Sequence, residues 1–348
     1  DKRNGLHTFF VQHILVRSSA NANIMTNKFI FILPLMLSAA LNAQTLDYSL
    51  REEREFNLDM KKITSDNDCV YMPAVRKSSR LDWMTNNVIG LTPDGKSISW
   101  ISVRNNNSNI FVRALNGGAA LQRTNRRSVL DFNYSPDGSK LCFSESDGRT
   151  NRIFTTNADK GYVCKQITYN EWDYSPIYSA DLRHIYFTRK EKGNTFGIWS
   201  YDLTENSLSY ITNGINPYPI KGSTEILCIR ASNNGNNEIW KINYETGDEV
   251  CIVSDVKRSF SSPTLSPDGK WILMVGNSEF QFNGKSYPNT DIFVCSVDGT
   301  NLTQLTYHPA NDLSPQWSND GQYIYFVSQR GNTTKTPNIW RLTFNTNQ

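Results

Sequence analysis

Arg152-Ile153-Phe154 is one of six places where a small or polar residue precedes Ile and then Trp or Phe. The others are Asn109-Ile110-Phe111, Gly197-Ile198-Trp199, Glu238-Ile239-Trp240, Asp291-Ile292-Phe293 and Asn338-Ile339-Trp340. From Ile to Ile the steps are 43, 45, 41, 53 and 47 residues. That is the length of a four-stranded propeller blade and exceeds the periods of helical repeats. Upstream of Ile153 come a first strand near 130–134, the turn Ser135-Pro136-Asp137-Gly138, and a second strand over 140–144 with period-two alternation. Downstream, a turn over 157–161 leads into a fourth strand at 162–168; Pro and Gly supply the backbone angles such hairpins need. The first turn recurs at Thr92-Pro93-Asp94-Gly95, Ser179-Ala180-Asp181-Leu182, Ser266-Pro267-Asp268-Gly269 and Ser318-Asn319-Asp320-Gly321, and survives only as Lys221-Gly222-Ser223-Thr224 in blade four. The fold class is therefore all-β, a six-bladed β-propeller.

Fourth strands tend to finish in an apolar residue and Thr, as in Ile167-Thr168, Ile211-Thr212 and Leu305-Thr306, 13 or 14 residues after the third-strand Ile. Thirteen residues beyond Ile339 lies past Gln348, and the matching text is Lys61-Lys62-Ile63-Thr64. The sequence predicts that this amino-terminal strand completes the sixth blade, leaving no open sheet edge. The third-strand rings Phe111, Phe154, Trp199, Trp240, Phe293 and Trp340 are expected to fill the wedges between blades.

Residues 25–43 read as a secretory signal peptide: Met25, basic Lys28, an apolar run over 29–41, and Leu41-Asn42-Ala43 before Gln44. Residues 1–24 read as an upstream extension, 44–55 as a linker and 56–348 as the propeller. Without residues 1–43 the net charge falls from +3 to zero, so no attraction for nucleic acid is expected. The expected product is a periplasmic or secreted monomer with no transmembrane segment in the mature chain. The six Cys are expected to be mostly buried free thiols, because repeat positions on second and fourth strands lie about 9.6 Å apart, beyond disulfide reach.

Function is sought where the repeat is interrupted. The stretch from second-strand to third-strand Ile is 12 or 13 residues in blades one to four, 20 in blade five and 15 in blade six, and the junction into blade one is also long. The insertions 65–87, 276–289 and 328–337 should thus meet on one face over blades five, six and one. Candidate binding residues there are Tyr71, Arg80, Asp82, Trp83, Phe280, Phe282, Lys285, Tyr287 and Lys335, alongside Arg76, Lys77 and Arg330. Aromatics mixed with fixed charge suit an envelope or secreted protein or peptide, or a glycan. Glu171, Asp173, Asn216, Arg258, Ser259, Asn311 and Asp312 are expected at the channel mouth.

Beyond residue 43 only His184 and His308 remain, too few for a multi-histidine metal site. There is no Gly-x-Ser-x-Gly elbow and no phosphate-binding loop, and Asp66-Asn67-Asp68 lacks the Gly and distant Glu of a calcium loop. No cofactor is expected. The enzymatic alternative is a lyase or glycosidase using Asp173 and Asp312 across the channel.

Over 56–348 the succession of Ser-Pro-Asp-Gly turn, hydrophobic second strand, Ile-Trp or Ile-Phe, and Leu-Thr resembles TolB-type propeller repeats. The best turns are those at Thr92, Ser135, Ser266 and Ser318. The resemblance implies a soluble periplasmic protein that binds envelope proteins through its propeller, here without the amino-terminal α/β domain of TolB. It is weak on function, since similar repeats occur in peptidase-linked propellers and in oligogalacturonate lyases, which rely on a histidine cluster.

Overall fold

The turn signature has a direct chemical reading in the computed structural model, which describes residues 54–73, 87–159, 162–169, 172–331 and 335–345. In each full copy the Ser or Thr hydroxyl donates to the Asp two residues on: Thr92 to Asp94 (2.5 Å), Ser135 to Asp137 (2.6 Å), Ser179 to Asp181 (2.5 Å), Ser266 to Asp268 (2.6 Å) and Ser318 to Asp320 (2.5 Å). The same hydroxyl accepts the N–H that opens the second strand, as from Lys140 (2.9 Å) and Tyr323 (2.8 Å). The side chain thus satisfies donors that the hairpin leaves open. Gly138 has φ +73°, and a Cβ there would lie 3.4 Å from the Pro93 ring of the neighbouring blade's turn, so the glycine serves both the turn and the close approach.

Among the described residues six antiparallel four-stranded sheets form a six-bladed propeller. Blade two, for example, runs outward through Val129–Tyr134, Lys140–Ser146, Asn151–Asn157 and Cys164–Gln166. The Thr that ends a fourth strand accepts the N–H of the third-strand Ile: Ile110 to Thr124 Oγ1 (2.9 Å), Ile153 to Thr168 Oγ1 (3.0 Å), Ile292 to Thr306 Oγ1 (2.9 Å). Blade six makes the same bond from Ile339 to Thr64 Oγ1 (2.8 Å). Its outer strand, Met60–Lys62, pairs with Asn338–Thr343 in the register Met60 to Leu342 and Lys62 to Trp340. Ile63 N–H then donates to the Ile339 carbonyl (2.8 Å).

The chain passes from this strand into blade one through a 3-10 turn, Asp66–Asp68. The Asp68 carbonyl accepts from Trp100 Nε1 (3.1 Å) and Ser102 Oγ (2.8 Å), its carboxylate pairs with Arg113 (3.0 Å), and Tyr71 N–H donates to the Ile101 carbonyl (2.8 Å). Sheet six is thereby latched to sheet one.

Innermost strands in blades three to six contain Ser175, Asn216, Ser262 and Ser314, each directly before a proline and each with φ between 51° and 53°. Pairing with the second strand slips at each of these points. A bulge suits proline, which has no N–H to contribute to the ladder. The left-handed non-glycine backbone costs about 1–3 kcal/mol per site and persists because the surrounding sheet fixes it.

All six cysteines are free; Cys142, Cys228 and Cys295 are buried and the others half-buried. Burial pushes the Cys142 thiol up and those of Cys228 and Cys295 up to about 12. A thiol-specific reagent at pH 8 is therefore expected to leave these three unmodified in the native protein and to label six thiols after unfolding. Native labelling of Cys142 would contradict the packing.

Asp131, fully buried, accepts from Ser144 N (3.1 Å), Ser144 Oγ (2.6 Å) and Ser175 N (3.1 Å), joining blades two and three. Burial raises its carboxyl from 3.8 to about 6. A folded-state pKa above the unfolded one means that its contribution to stability is full below 3.8 and is lost as pH rises through about 6. From pH 7 to pH 4 wild type should gain roughly 2 kcal/mol relative to Asp131→Asn in denaturant titrations. A pH-independent difference would contradict this.

Candidate recognition site

The bulged inner strands bring Asn87, Asn133, Ser175, Asn216, Tyr218 and Ser262 around a cavity of about 20 Å³ on the axis. That volume holds about one water. Gln316 Nε2 donates to Asn87 Oδ1 (3.1 Å), Asn87 Nδ2 to Asn133 Oδ1 (3.3 Å), Asn133 Nδ2 to the Pro176 carbonyl (2.8 Å) and Ser175 Oγ to Asn216 Oδ1 (3.0 Å). These bonds link the inner strands of blades six, one, two, three and four around the cavity.

Of the channel-mouth candidates, Asn216 lines this cavity. Asp173 and Asp312 do not face one another across it. Both are completely buried, and each is held by an arginine that follows in its own blade. Arg189 bonds Asp173 through Nε (2.7 Å) and Nη2 (3.0 Å), while Arg330 bonds Asp312 and also Glu55. Asp173 lies directly opposite Arg189 in the strand register, and Asp312 lies opposite Ser328, two residues before Arg330. Asn311 accepts from Thr290 N (3.1 Å) and Oγ1 (3.0 Å), anchoring a third strand. Ser259 N–H donates to Asn277 Oδ1 (2.6 Å), and Arg258 pairs with Asp255 (3.1 Å). Glu171 lies outside the described residues.

In every blade a guanidinium lies over the third-strand ring. The centroid distances are 4.3 Å for Arg104 on Phe111, 4.6 Å for Arg126 on Phe154 and 4.9 Å for Arg189 on Trp199. They are 5.1 Å for Arg230 on Trp240, 5.6 Å for Arg258 on Phe293 and 6.0 Å for Arg330 on Trp340. All are within cation–π range. The rings also join the core clusters, so the wedge role predicted for them is accompanied by a ring of arginine caps that the sequence reading missed. Five caps have carboxylate partners: Glu145, Asp173, Glu249, Asp255 and Asp312.

The blade-five insertion is a ribbon. Strands Trp271–Phe282 and Lys285–Ser296 pair along their whole length to the turn at Asn283-Gly284. Phe280 stacks on Tyr287 at 5.4 Å, Phe282 sits opposite Lys285, and Lys285 is exposed. Such a ribbon presents a fixed aromatic pair beyond the blade body. Tyr71 is half-buried against the blade-one core, and the exposed Lys335 offers its carbonyl to Gln329 Nε2 (2.7 Å). Arg330 is buried rather than available on the face. Arg76, Lys77, Arg80, Asp82 and Trp83 lie outside the described residues.

Among the described residues no three His, Cys, Asp or Glu side chains cluster as metal ligands, and no helix is long and apolar enough to cross a membrane.

Comparison with known proteins follows from this geometry. The family described as the TolB beta propeller domain matches residues 232–348. TolB from Acinetobacter baumannii is 18% identical with a TM-score of 0.57, over 72% of this chain and 64% of that one. The chain therefore spans just under two thirds of that TolB. An oligogalacturonate lyase from Vibrio parahaemolyticus is 11% identical with a TM-score of 0.57, over 88% of this chain and 97% of that one. Another oligogalacturonate lyase, solved in complex with manganese, is 13% identical with a TM-score of 0.55, over 83% and 93%. Identities this low establish the fold alone. The chain is a TolB-like six-bladed β-propeller, with its TolB-type repeat matched over residues 232–348.

Proposed function

We propose that the protein is a periplasmic or secreted non-catalytic recognition module that binds an envelope or secreted protein or peptide on the face carrying the blade-five ribbon. The observation that carries this reading is the hairpin of two twelve-residue strands with Phe280 stacked on Tyr287 near its end. An ordered ribbon with an aromatic pair and a lysine at its turn offers the rigid anchors on which protein interfaces depend. One further feature supports binding over catalysis. The carboxylates expected to do acid–base work, Asp173 and Asp312, are locked to Arg189 and Arg330. The segment 25–43 supports export. Tyr71 and Lys335 belong to the same proposed surface, together with Arg80, Asp82 and Trp83.

The test shortens the ribbon to a two-residue Asn-Gly turn after Asn277 and measures capture from an envelope extract by crosslinking, with the melting temperature as a check on folding. Loss of the captured partner at unchanged melting temperature is expected. Equal capture by both proteins, or turnover of a glycan that depends on Asp173 and Asp312, would overturn the reading.

A further inference from the structure

On the opposite face, where the Ser-Pro-Asp-Gly turns lie, a cleft of about 720 Å³ opens between blades five and six. Its walls include Trp271, Trp317 and Phe344, with Asp268 and Asp320 beside them. The Phe344 ring meets Trp317 edge-on at 4.8 Å and Trp271 edge-on at 5.8 Å, so three rings form one continuous aromatic surface. Each carboxylate commits Oδ1 to its own turn, to Ser266 and Lys270 N in one case and to Ser318 and Gln322 N in the other. Asp268 Oδ2 has only a loose, exposed contact with Lys270 (3.6 Å), and no partner for Asp320 Oδ2 is found among the described residues. The turn hydrogen bonds hold both carboxyls below the usual range, so both are charged at neutral pH. The buried indole N–H of Trp317 has no acceptor among the described residues.

The arrangement occurs at one blade junction. Matching backbone bonds from the third-strand exit to the turn place Leu115, Ala158, Leu203, Tyr244 and Val297 where blade six has Phe344. Repeat positions equivalent to Trp271 hold Ser97, Lys140, His184, Glu225 and Tyr323, and those equivalent to Trp317 hold Leu91, Tyr134, Tyr178, Pro219 and Leu265. At these three positions no other junction has an aromatic residue throughout, although His184, Tyr186 and Tyr244 stack in series between blades three and four. The repeat itself therefore does not demand the Trp271, Trp317 and Phe344 set.

From this geometry we infer that the cleft between blades five and six binds an organic cation, an ammonium or guanidinium group seated against the Trp271, Trp317 and Phe344 rings with Asp268 and Asp320 as counter-charges. Aromatic faces attract such cations through the ring quadrupole, and weakly hydrated cations gain most. The volume falls in the range of small-ligand pockets, so the head group enters with its substituents. A free small cation and a lysine or arginine side chain present the same chemistry and are separated by the choice of probe.

The experiment titrates the full chain with choline, with its neutral isostere 3,3-dimethylbutan-1-ol, with argininamide and with a Gly-Arg-Gly peptide, following tryptophan fluorescence and heat. Choline or argininamide should bind saturably and about tenfold or more tighter than the neutral isostere, the discrimination a cation–π cage supplies. Tighter binding of the peptide than of argininamide assigns the site to a side chain on a chain; the reverse assigns it to a free cation. Asp268→Asn with Asp320→Asn keeps both Oδ1 acceptors and should preserve the melting temperature while abolishing the preference for charge. Trp271→Leu should weaken cation binding to a similar degree. No saturation by any cation, equal binding of choline and its isostere, or an unchanged preference in the double Asn variant would overturn the inference.

Discussion

Deleting residues 60–64 is expected to remove cooperative folding and send the protein into aggregates. The strand Met60–Lys62 supplies the fourth strand of blade six, and Thr64 supplies the hydroxyl that accepts Ile339 N–H. Without them Asn338–Thr343 becomes an unprotected edge, the configuration that templates pairing with other chains. The Asp66–Asp68 latch onto Trp100, Ser102 and Arg113 loses its tether as well. Summed, these losses are comparable with the ~5–15 kcal/mol that holds an ordinary domain together. A milder form, Thr64→Val, strands Ile339 N–H in the core and should cost about 1–3 kcal/mol. Urea unfolding followed by circular dichroism measures both; a deletion variant that unfolds cooperatively near the wild-type midpoint would contradict the expectation.

Arg330→Met should produce the largest loss from a single side chain. Arg330 joins the buried Asp312 to Glu55 and lies over Phe326 at 4.9 Å, so its removal leaves two carboxylates facing each other without a cation. Breaking one partner out of a buried pair costs about 3–5 kcal/mol. Adding Asp312→Leu should return much of that stability, because replacing a whole buried pair by apolar groups is often close to neutral. Thermal and denaturant melts of the single and double variants check the cycle. A single variant within about 1 kcal/mol of wild type would show that Asp312 is not dependent on its arginine.

Much of the fold is readable in the residues because three of its devices act locally. The Ser-to-Asp bond in the turn, the Ile-aromatic pair of the third strand and the closing Thr each fall at fixed spacing, so a strand borrowed from the far end of the chain still declares itself through Ile63-Thr64. The arginine caps do not announce themselves this way. Arg189, Arg230 and Arg330 each stand ten residues before the Trp they cap, but Arg104 stands seven before Phe111 and Arg126 and Arg258 come from loops between blades, so no one spacing covers all six. A signal did exist for the two carboxylates: Asp173 and Asp312 are followed 16 and 18 residues later by the arginine that binds them. The inner-strand bulges were hidden because a residue before proline ordinarily avoids the left-handed region. The blade-five insertion showed its length in the sequence, while its form as a continuous ribbon depended on pairing that alternation over 276–289 only weakly signals.

Native-state amide hydrogen exchange at Ile63 and Ile339, read against Ile153, tests ring closure most directly. If the amino-terminal strand locks the last sheet, both amides should exchange only through global unfolding, with the same free energy as Ile153, whose N–H is held by Thr168 in the same way. Exchange of Ile63 and Ile339 at the rate of an unstructured peptide, with Ile153 still protected, would contradict it.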